Sequence, residues 1–228
     1  MKNLIFFKLV IVIGILGCSS SKNEDKSQSS NLSMNAAAAS VEISGESPIS
    51  QDYLFSPFTV YKDKGYERNH FVPSGYMPTG ECLWMDDGFI ENCFEGKTCI
   101  KAIYDVACSQ KSRKWAGIYW LNPADNWGDR KGGFNLNGAS KLIFWAKGEN
   151  GGERIEEFKI GGVGFGREFP DSDTAVIGPV ILSNEWREYS IDLRGKDLST
   201  ISGGFAWVAN ADNNSEGCTF YLDHIHYE

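Results

Sequence analysis

A polar loop around one tryptophan is the first feature of the sequence that could bind a ligand. Trp127 lies in this loop, which follows the segment carrying Trp115 and Tyr119. Its hydrogen-bonding side chains are Asn122, Asp125, Asn126, Asp129 and Arg130. Flat rings can stack on sugar faces while polar groups bind sugar hydroxyls. The loop therefore predicts a glycan contact, or equally a turn whose tryptophan closes one end of the fold.

The alternation of side chains in the predicted strands places further aromatic rings on an outward face. Successive side chains of a strand point to opposite faces. The positions assigned to the core are Ile118, Trp120, Leu142, Phe144, Phe158 and Ile160. The outward positions are then Trp115, Tyr119, Trp145, Lys147, Glu157 and Lys159. This predicts a sheet surface with rings among charges, although the opposite parity would bury Trp115 or Trp145.

Other side chains are candidates for catalysis or metal binding. Two carboxylates across a glycosidic bond are needed for hydrolysis, and the acidic candidates are Glu153, Glu156, Glu157, Asp171 and Asp173. Nothing distinguishes a pair among them, and the glycine-rich run 162–166 lacks the lysine and helix of a phosphate loop. His224 and His226 share a strand face without an identifiable third ligand, which favours a solvated face. The sequence favours a binding protein over an enzyme.

Short apolar and aromatic runs, separated by Gly, Asn, Asp and Pro, position these residues. Such spacing is typical of an all-β sandwich or barrel. The predicted strands are 98–107, 115–121, 141–147, 155–160, 175–182, 185–193, 204–209 and 219–227.

Several of these stretches together carry a family resemblance. They are 71–77, 96–104, 115–120, 142–148 and 219–225, the last with Asp223 two residues after Tyr221. The chain resembles, over about 58–228, the jelly-roll carbohydrate-binding modules of the galactose-binding-like superfamily. The resemblance implies a two-sheet antiparallel β-sandwich that binds a polysaccharide or glycan.

The same resemblance implies a structural calcium ion. An aspartate in the closing strand, here Asp223, would help to hold it, and Asp63 is the candidate from the first strand. Calcium takes six to eight oxygens, so carbonyl groups and water would have to complete the site. The alternative is a solvent-facing aspartate paired with a lysine.

Five cysteines follow Cys18, so they cannot all pair with one another. We expect a Cys93–Cys99 bridge that closes a short loop, with Cys82–Cys93 as the alternative. We also expect a Cys108–Cys218 bridge, because the end of one antiparallel strand would lie beside the start of the other.

The N-terminus has the features of a lipoprotein leader. Lys2 and Lys8 accompany the apolar run 9–16, which is too short to span a bilayer, and Cys18 follows in a lipobox-like context. We expect a signal peptide over 1–17, an acylated tether over 18–47, and the sandwich domain over 48–228. Several acyl chains, such as palmitate, would anchor Cys18 stably, and Ser19 favours sorting to the outer membrane, facing the surface or the periplasm.

The chain has a formal net charge of −8, and the leader removes two of its lysines. This argues against nucleic acid as a partner, because phosphate binding needs a basic patch. The resulting hypothesis is non-catalytic glycan binding by a lipid-anchored module. The alternatives are an adhesin or structural lipoprotein that binds proteins, and a small glycan hydrolase. The oligomeric state is not predicted.

Overall fold

The computed structural model describes residues 55–78, 80–109 and 114–228. The predicted signal peptide, Cys18 and the tether lie outside the described residues. Within the described ranges, no helix has both the length and the apolar character needed to cross a membrane.

The regular secondary structure of the described residues consists of strands and one short helix. Those of the first half are β1 (Phe58–Tyr61), β2 (Val72–Met77), β3 (Leu83–Phe89), β4 (Cys99–Tyr104), β5 (Trp115–Leu121) and β6 (Lys141–Gly148). Those of the second half are β7 (Arg154–Ile155), β8 (Glu157–Gly161), β9 (Thr174–Ile177), β10 (Val180–Ile181), β11 (Arg187–Asp192), β12 (Gly203–Asn210) and β13 (Cys218–Tyr227). A short helix, α1 (Val106–Ser109), follows β4.

The strands form two main antiparallel sheets. The five-stranded front sheet has the order β2-β5-β12-β8-β9, and the back sheet has the order β11-β6-β13-β4-β3 with β1 beside β13. Strands β7 and β10 form a separate two-stranded ladder. Consecutive strands β5 and β6 lie in different sheets, so the chain crosses between layers there. The predicted two-sheet antiparallel sandwich is confirmed.

The core lies between the sheets. The Phe144 ring of the back sheet lies 4.6 Å from the Phe158 ring and 5.2 Å from the Phe205 ring of the front sheet, measured between centroids. All six residues that the alternation assigned to the core are at most 1% exposed. Burying one such side chain contributes about 1.5–3 kcal/mol. The Tyr227 hydroxyl also joins the sheets by donating to the Gly204 carbonyl oxygen at 2.6 Å.

Four predicted strands are shorter or interrupted in the structure, namely 98–107, 155–160, 175–182 and 185–193. The predicted strand 175–182 is divided into β9 and β10 at Gly178 and Pro179, where Pro179 has no N–H to give to a ladder. The predicted strand 98–107 ends at Tyr104, and α1 follows.

The early end of β4 changes the cysteine pairing. Cys93 and Cys99 form the predicted bridge, with 5.3 Å between their Cα atoms, which excludes Cys82–Cys93. Cys82 is also disulfide-bonded. The Cys108–Cys218 prediction is wrong, because Cys218 is a free, buried thiol. Cys218 lies opposite Tyr104, and Cys108 falls in α1 instead of extending that strand.

Candidate ligand-binding groove

A groove of about 450 Å³ lies on the outer face of the front sheet. Its size falls within the range of small-ligand sites. The lining residues are Met77, Trp115, Tyr119, Trp127, Glu157, Lys159, Gly162, Val163, Gly164 and Val208. The structure therefore brings together four residues that the sequence predicted for ligand binding, namely Trp115, Tyr119, Trp127 and Glu157.

Strand register sets the shape of the groove. Ala206 of β12 lies between Tyr119 of β5 and Lys159 of β8. In the next row, Val208 lies between Gly117 and Glu157. The small residues Ala206 and Gly117 thus lie beside larger side chains, and these two positions form the floor of the groove.

Gly117 is needed for that floor. A Cβ atom added there would lie 2.4 Å from the Trp207 carbonyl oxygen and 3.0 Å from the side chains of Met77 and Val208. Any larger residue would push these groups apart or enter the groove.

Tyr119 forms a fixed part of the wall. Its hydroxyl donates to the Gly161 carbonyl oxygen at 3.0 Å, and its ring is buried. Burial, reinforced by Asp171 and Glu157, raises the pKa of Tyr119, so the phenol stays neutral. The Lys159 ammonium lies 5.8 Å from the ring centroid, within cation–π range.

Trp127 projects from the loop between β5 and β6. Its half-buried ring lies 5.9 Å from the Tyr119 ring at an interplanar angle of 83°. This edge-to-face arrangement is a favourable one for aromatic pairs. Gly75 makes room for the ring, because a Cβ atom there would lie 3.1 Å from Cζ2 of Trp127.

Asn126 holds the turn that carries Trp127. Its Oδ1 accepts hydrogen bonds from the backbone N–H groups of Gly128 and Arg130, and its Nδ2 donates to the Arg130 carbonyl oxygen. The residue is 1% exposed. The predicted ligand contact of Asn126 is therefore replaced by a framework role, since the amide is buried and engaged with the backbone.

A second loop, between β8 and β9, packs against the Trp127 loop. Gly128 and Gly164 meet so closely that a Cβ atom on Gly128 would lie 2.5 Å from the Gly164 Cα atom. The Phe169 N–H donates to the Gly128 carbonyl oxygen at 3.0 Å, and Arg167 forms an ion pair with Asp129. The two loops thus make one wall of the groove.

Asp171 fixes the base of this second loop. Its carboxylate accepts hydrogen bonds from the backbone N–H groups of Val163, Ser202 and Gly203 at 3.1, 2.6 and 3.1 Å. Burial raises the pKa of Asp171 despite these three donors.

The charges inside the groove balance each other. Glu157 and Lys159 stand two residues apart on β8, with 3.7 Å between the Glu157 carboxylate and the Lys159 ammonium. Both side chains are partly exposed, so each can still bind a hydroxyl group.

Trp145 and Lys147 lie on the opposite side of the sandwich. They point outward from β6 in the back sheet, where the Phe94 ring stacks on Trp145 at 3.6 Å and 11°. The Lys147 ammonium lies 4.7 Å from the Tyr221 ring centroid and 5.3 Å from that of Trp186. The outward parity is right, but the prediction of one shared surface is wrong, because β5 and β6 belong to different sheets.

Some groove residues were missed by the sequence reasoning. The pattern of Gly162, Val163 and Gly164 had excluded a phosphate loop without indicating another site, and Met77 and Val208 carried no ligand signal. The glycine run was the available sign, since it marks a place where backbone segments approach closely.

Asp223 contacts N–H donors. Its Oδ2 accepts from the backbone N–H groups of Phe94 and Glu95 at 3.0 Å each, and its Oδ1 accepts from that of His224 at 2.8 Å. Burial raises the pKa of Asp223 to about 6, although these hydrogen bonds oppose the shift.

Asp63 is less buried than Asp223, but it also accepts hydrogen bonds from backbone N–H groups. Its Oδ1 accepts from the backbone N–H groups of Lys97 and Thr98 at 2.7 and 2.8 Å. Both aspartates therefore anchor the loop that the Cys93–Cys99 bridge closes. Calcium needs a shell of oxygen ligands, so these residues do not fit the predicted calcium site, and we propose none.

Comparisons with known proteins identify the fold. No family model matches the sequence, and no curated protein matches it. Among solved structures, a family 30 carbohydrate-binding module aligns with a TM-score of 0.50 at 17% identity, over 77% of this chain and 89% of that chain.

Two further solved structures align less closely. A family 30 module of a cellulosomal cellulase of Clostridium thermocellum aligns with a TM-score of 0.47 at 17% identity, over 76% of this chain and 97% of that chain. A family 29 module variant complexed with mannohexaose aligns with a TM-score of 0.41 at 10% identity, over 75% and 90%.

Proposed function

We propose that the domain, which has the jelly-roll fold found in carbohydrate-binding modules, binds a neutral polysaccharide in the front-sheet groove without acting on it chemically. The observation that carries the proposal is the partial exposure of Trp115 and Trp127 in one groove. The fold likeness to a module named for carbohydrate binding supports it.

The aromatic groups suit the apolar faces of sugar rings. Trp127 is held by the turn around Asn126 and by its edge contact with Tyr119, so little conformational freedom is lost when a ligand binds. Such preorganisation favours affinity.

The polar side chains of the groove can bind the hydroxyl groups of a sugar. Glu157 can accept hydrogen bonds and Lys159 can donate them, and their ion pair leaves the groove electrically balanced. A charged sugar would pair with either Glu157 or Lys159 and leave the other charge without its partner. A neutral sugar would leave this ion pair intact.

The groove offers binding groups instead of a catalytic pair. Glu157 is the single carboxylate among its described lining residues, and it is held by Lys159. Most glycoside hydrolases need a second carboxylate about 5–10 Å away.

The proposal extends to the location of the protein. Cys18 would carry the acyl chains that anchor the protein to the outer membrane, and the stretch 18–47 would tether the domain to it. Incorporation of a palmitate analogue into the wild type, and its loss in Cys18→Ala, would support the anchor. Equal labelling of both would contradict it.

Affinity electrophoresis through gels that contain neutral polysaccharides tests the binding function. We expect retardation by at least one polysaccharide, and loss of that retardation in Trp127→Ala and Trp115→Ala. Trp84→Ala is a matched control, because Trp84 is 52% exposed on β3 of the back sheet. Retardation unchanged in both groove variants would contradict the proposed site.

A further inference from the structure

A second pocket, of about 370 Å³, lies on the back sheet where β1 and β13 meet the segment after β1. Its lining residues are Ser56, Pro57, Thr59, Lys62, Tyr66, Arg68, His70, His224 and His226. It gathers all three histidines of the chain. None of the groove residues belongs to it, so the two sites are separate.

The charge of this pocket differs from that of the protein. The chain has a net charge of −8, yet the described residues that line the pocket include Lys62 and Arg68 and no acid. Glu95 lies nearby and contacts the Lys62 ammonium at 3.7 Å and the His224 Nδ1 at 2.7 Å. Arg68 has no carboxylate partner among the described residues, and it is exposed.

Two of the histidines are held in defined orientations. The His70 ring stacks on Phe58 at 3.8 Å, and its Nδ1 lies 3.0 Å from the Thr59 carbonyl oxygen. The His226 Nδ1 lies 3.2 Å from the His224 carbonyl oxygen. A carbonyl oxygen can only accept, so each Nδ1 carries a proton and the Nε2 of a neutral ring can accept one.

Burial and the nearby carboxylates have opposing effects on the protonation of His226. The Glu228 carboxylate lies 3.8 Å from its Nε2, and Glu188 also favours the charged ring, but burial is the largest influence and lowers the pKa of His226. The ring is therefore neutral near pH 7. Arg68 supplies the unpaired positive charge of the pocket, and Lys62 shares its charge with Glu95.

We propose that this pocket binds an acidic sugar residue, with its carboxylate, sulfate or phosphate group on Arg68 and Lys62 and its hydroxyls on histidine Nε2 atoms. The side-chain hydroxyls of Ser56 and Thr59 add further partners for the sugar. Guanidinium groups pair with such oxyanions through two parallel hydrogen bonds. A volume of about 370 Å³ falls within the small-ligand range.

This inference goes beyond the proposed function, and the test separates the two. The full-length protein in detergent is titrated calorimetrically with glucuronate, galacturonate, N-acetylneuraminate and glucose 6-phosphate, each beside its neutral parent sugar. We expect at least one acidic sugar to bind about tenfold or more tightly than its parent. Inorganic sulfate serves as a probe for charge alone and is expected to bind more weakly.

The variants assign the binding to the pocket. Arg68→Gln should remove most of the preference for the acidic sugar, and Lys62→Gln should reduce it by less, because Lys62 is already paired with Glu95. Arg187→Gln, an exposed arginine on β11, removes the same charge elsewhere and should leave it intact, as should Trp127→Ala. Unchanged melting temperatures establish that the variants fold.

Three outcomes would overturn the inference. They are the absence of any preference for acidic over neutral sugars, a preference that survives in Arg68→Gln, and sulfate binding as tight as that of the sugar. Loss of polysaccharide binding alone in Trp127→Ala would leave the inference standing, so failure of one site can be told from failure of the other.

Discussion

Replacing Trp127 by alanine removes one wall of the groove while keeping the loop that carries it. The turn is held by backbone hydrogen bonds to the Asn126 amide, and none of these involves the indole. The ring itself makes an edge contact with Tyr119 at 5.9 Å. We therefore expect the variant to fold but to lose stability: about 0.5–1.5 kcal/mol from the aromatic pair, and more from the apolar contacts of the half-buried ring with the cluster of Leu121 and Val163.

The expected loss of affinity can be worked from the area of the ring. An indole presents roughly 80–100 Å² on one face, about half of the 150–250 Å² that a buried aromatic side chain covers. At about 25 cal/mol per Å², covering that face with a sugar contributes about 2 kcal/mol. This corresponds to a factor of about 30 in Kd.

Affinity electrophoresis over a series of polysaccharide concentrations gives the Kd of each variant. Trp84→Ala removes an equally large and more exposed ring from the back sheet, so its Kd should equal that of the wild type. A Trp127→Ala variant that folds and binds with wild-type affinity would refute the reasoning. So would an equal loss in Trp84→Ala, because it would show that the ring position is irrelevant.

Three further changes have defined outcomes. Asn126→Ala should destabilise the domain by about 1–3 kcal/mol, because it leaves buried backbone groups unpaired. It should also weaken glycan binding, because the turn that holds Trp127 is lost. Binding at full strength in a destabilised variant would contradict the framework role. Replacing Cys93 and Cys99 by serine should cost about 2 kcal/mol in urea unfolding, from loop entropy, and leave glycan binding unchanged, whereas loss of binding would place this loop in the site. Burial raises the pKa of Asp223 to about 6, so the folded state holds that proton more tightly than the unfolded chain does. The free energy of unfolding of the wild type should therefore rise, relative to that of Asp223→Asn, by up to about 3 kcal/mol as the pH falls from about 7 to about 4. A stability difference that stays constant with pH would exclude this.

The alternation of side chains was sufficient to place six residues correctly in the core. Phe144 and Trp145 are neighbours in sequence, and the period of two correctly placed the first inside and the second outside. Parity is a local property of a strand, so short segments of the sequence carry it.

The sheet to which each strand belongs is not local. Trp115 and Trp145 both point outward, yet they lie on opposite sides of the sandwich, because β5 pairs with β2 and β12 while β6 pairs with β11 and β13. Pairing depends on contacts between distant segments, so the sequence could supply the rings but could not divide them between two faces.

Residue type alone was also insufficient for Asn126 and Asp223. An asparagine beside a tryptophan suits a sugar or a turn equally, and an aspartate suits a cation or a set of backbone N–H donors equally. The structure distinguishes these readings by burial and by the direction of the hydrogen bonds. The same holds for Cys218. The predicted strand 98–107 ends at Tyr104, so Cys108 lies in α1 and Cys218 is a free thiol.

The most direct test observes the indole N–H signals of the seven tryptophans by two-dimensional NMR. An oligosaccharide of the best-bound polysaccharide is added stepwise. We expect the signals of Trp115 and Trp127 to shift, while those of Trp84, Trp145 and Trp186 stay in place. Shifts confined to Trp145 and Trp186, with Trp115 and Trp127 unmoved, would show that the ligand binds the back sheet and would contradict the central claim.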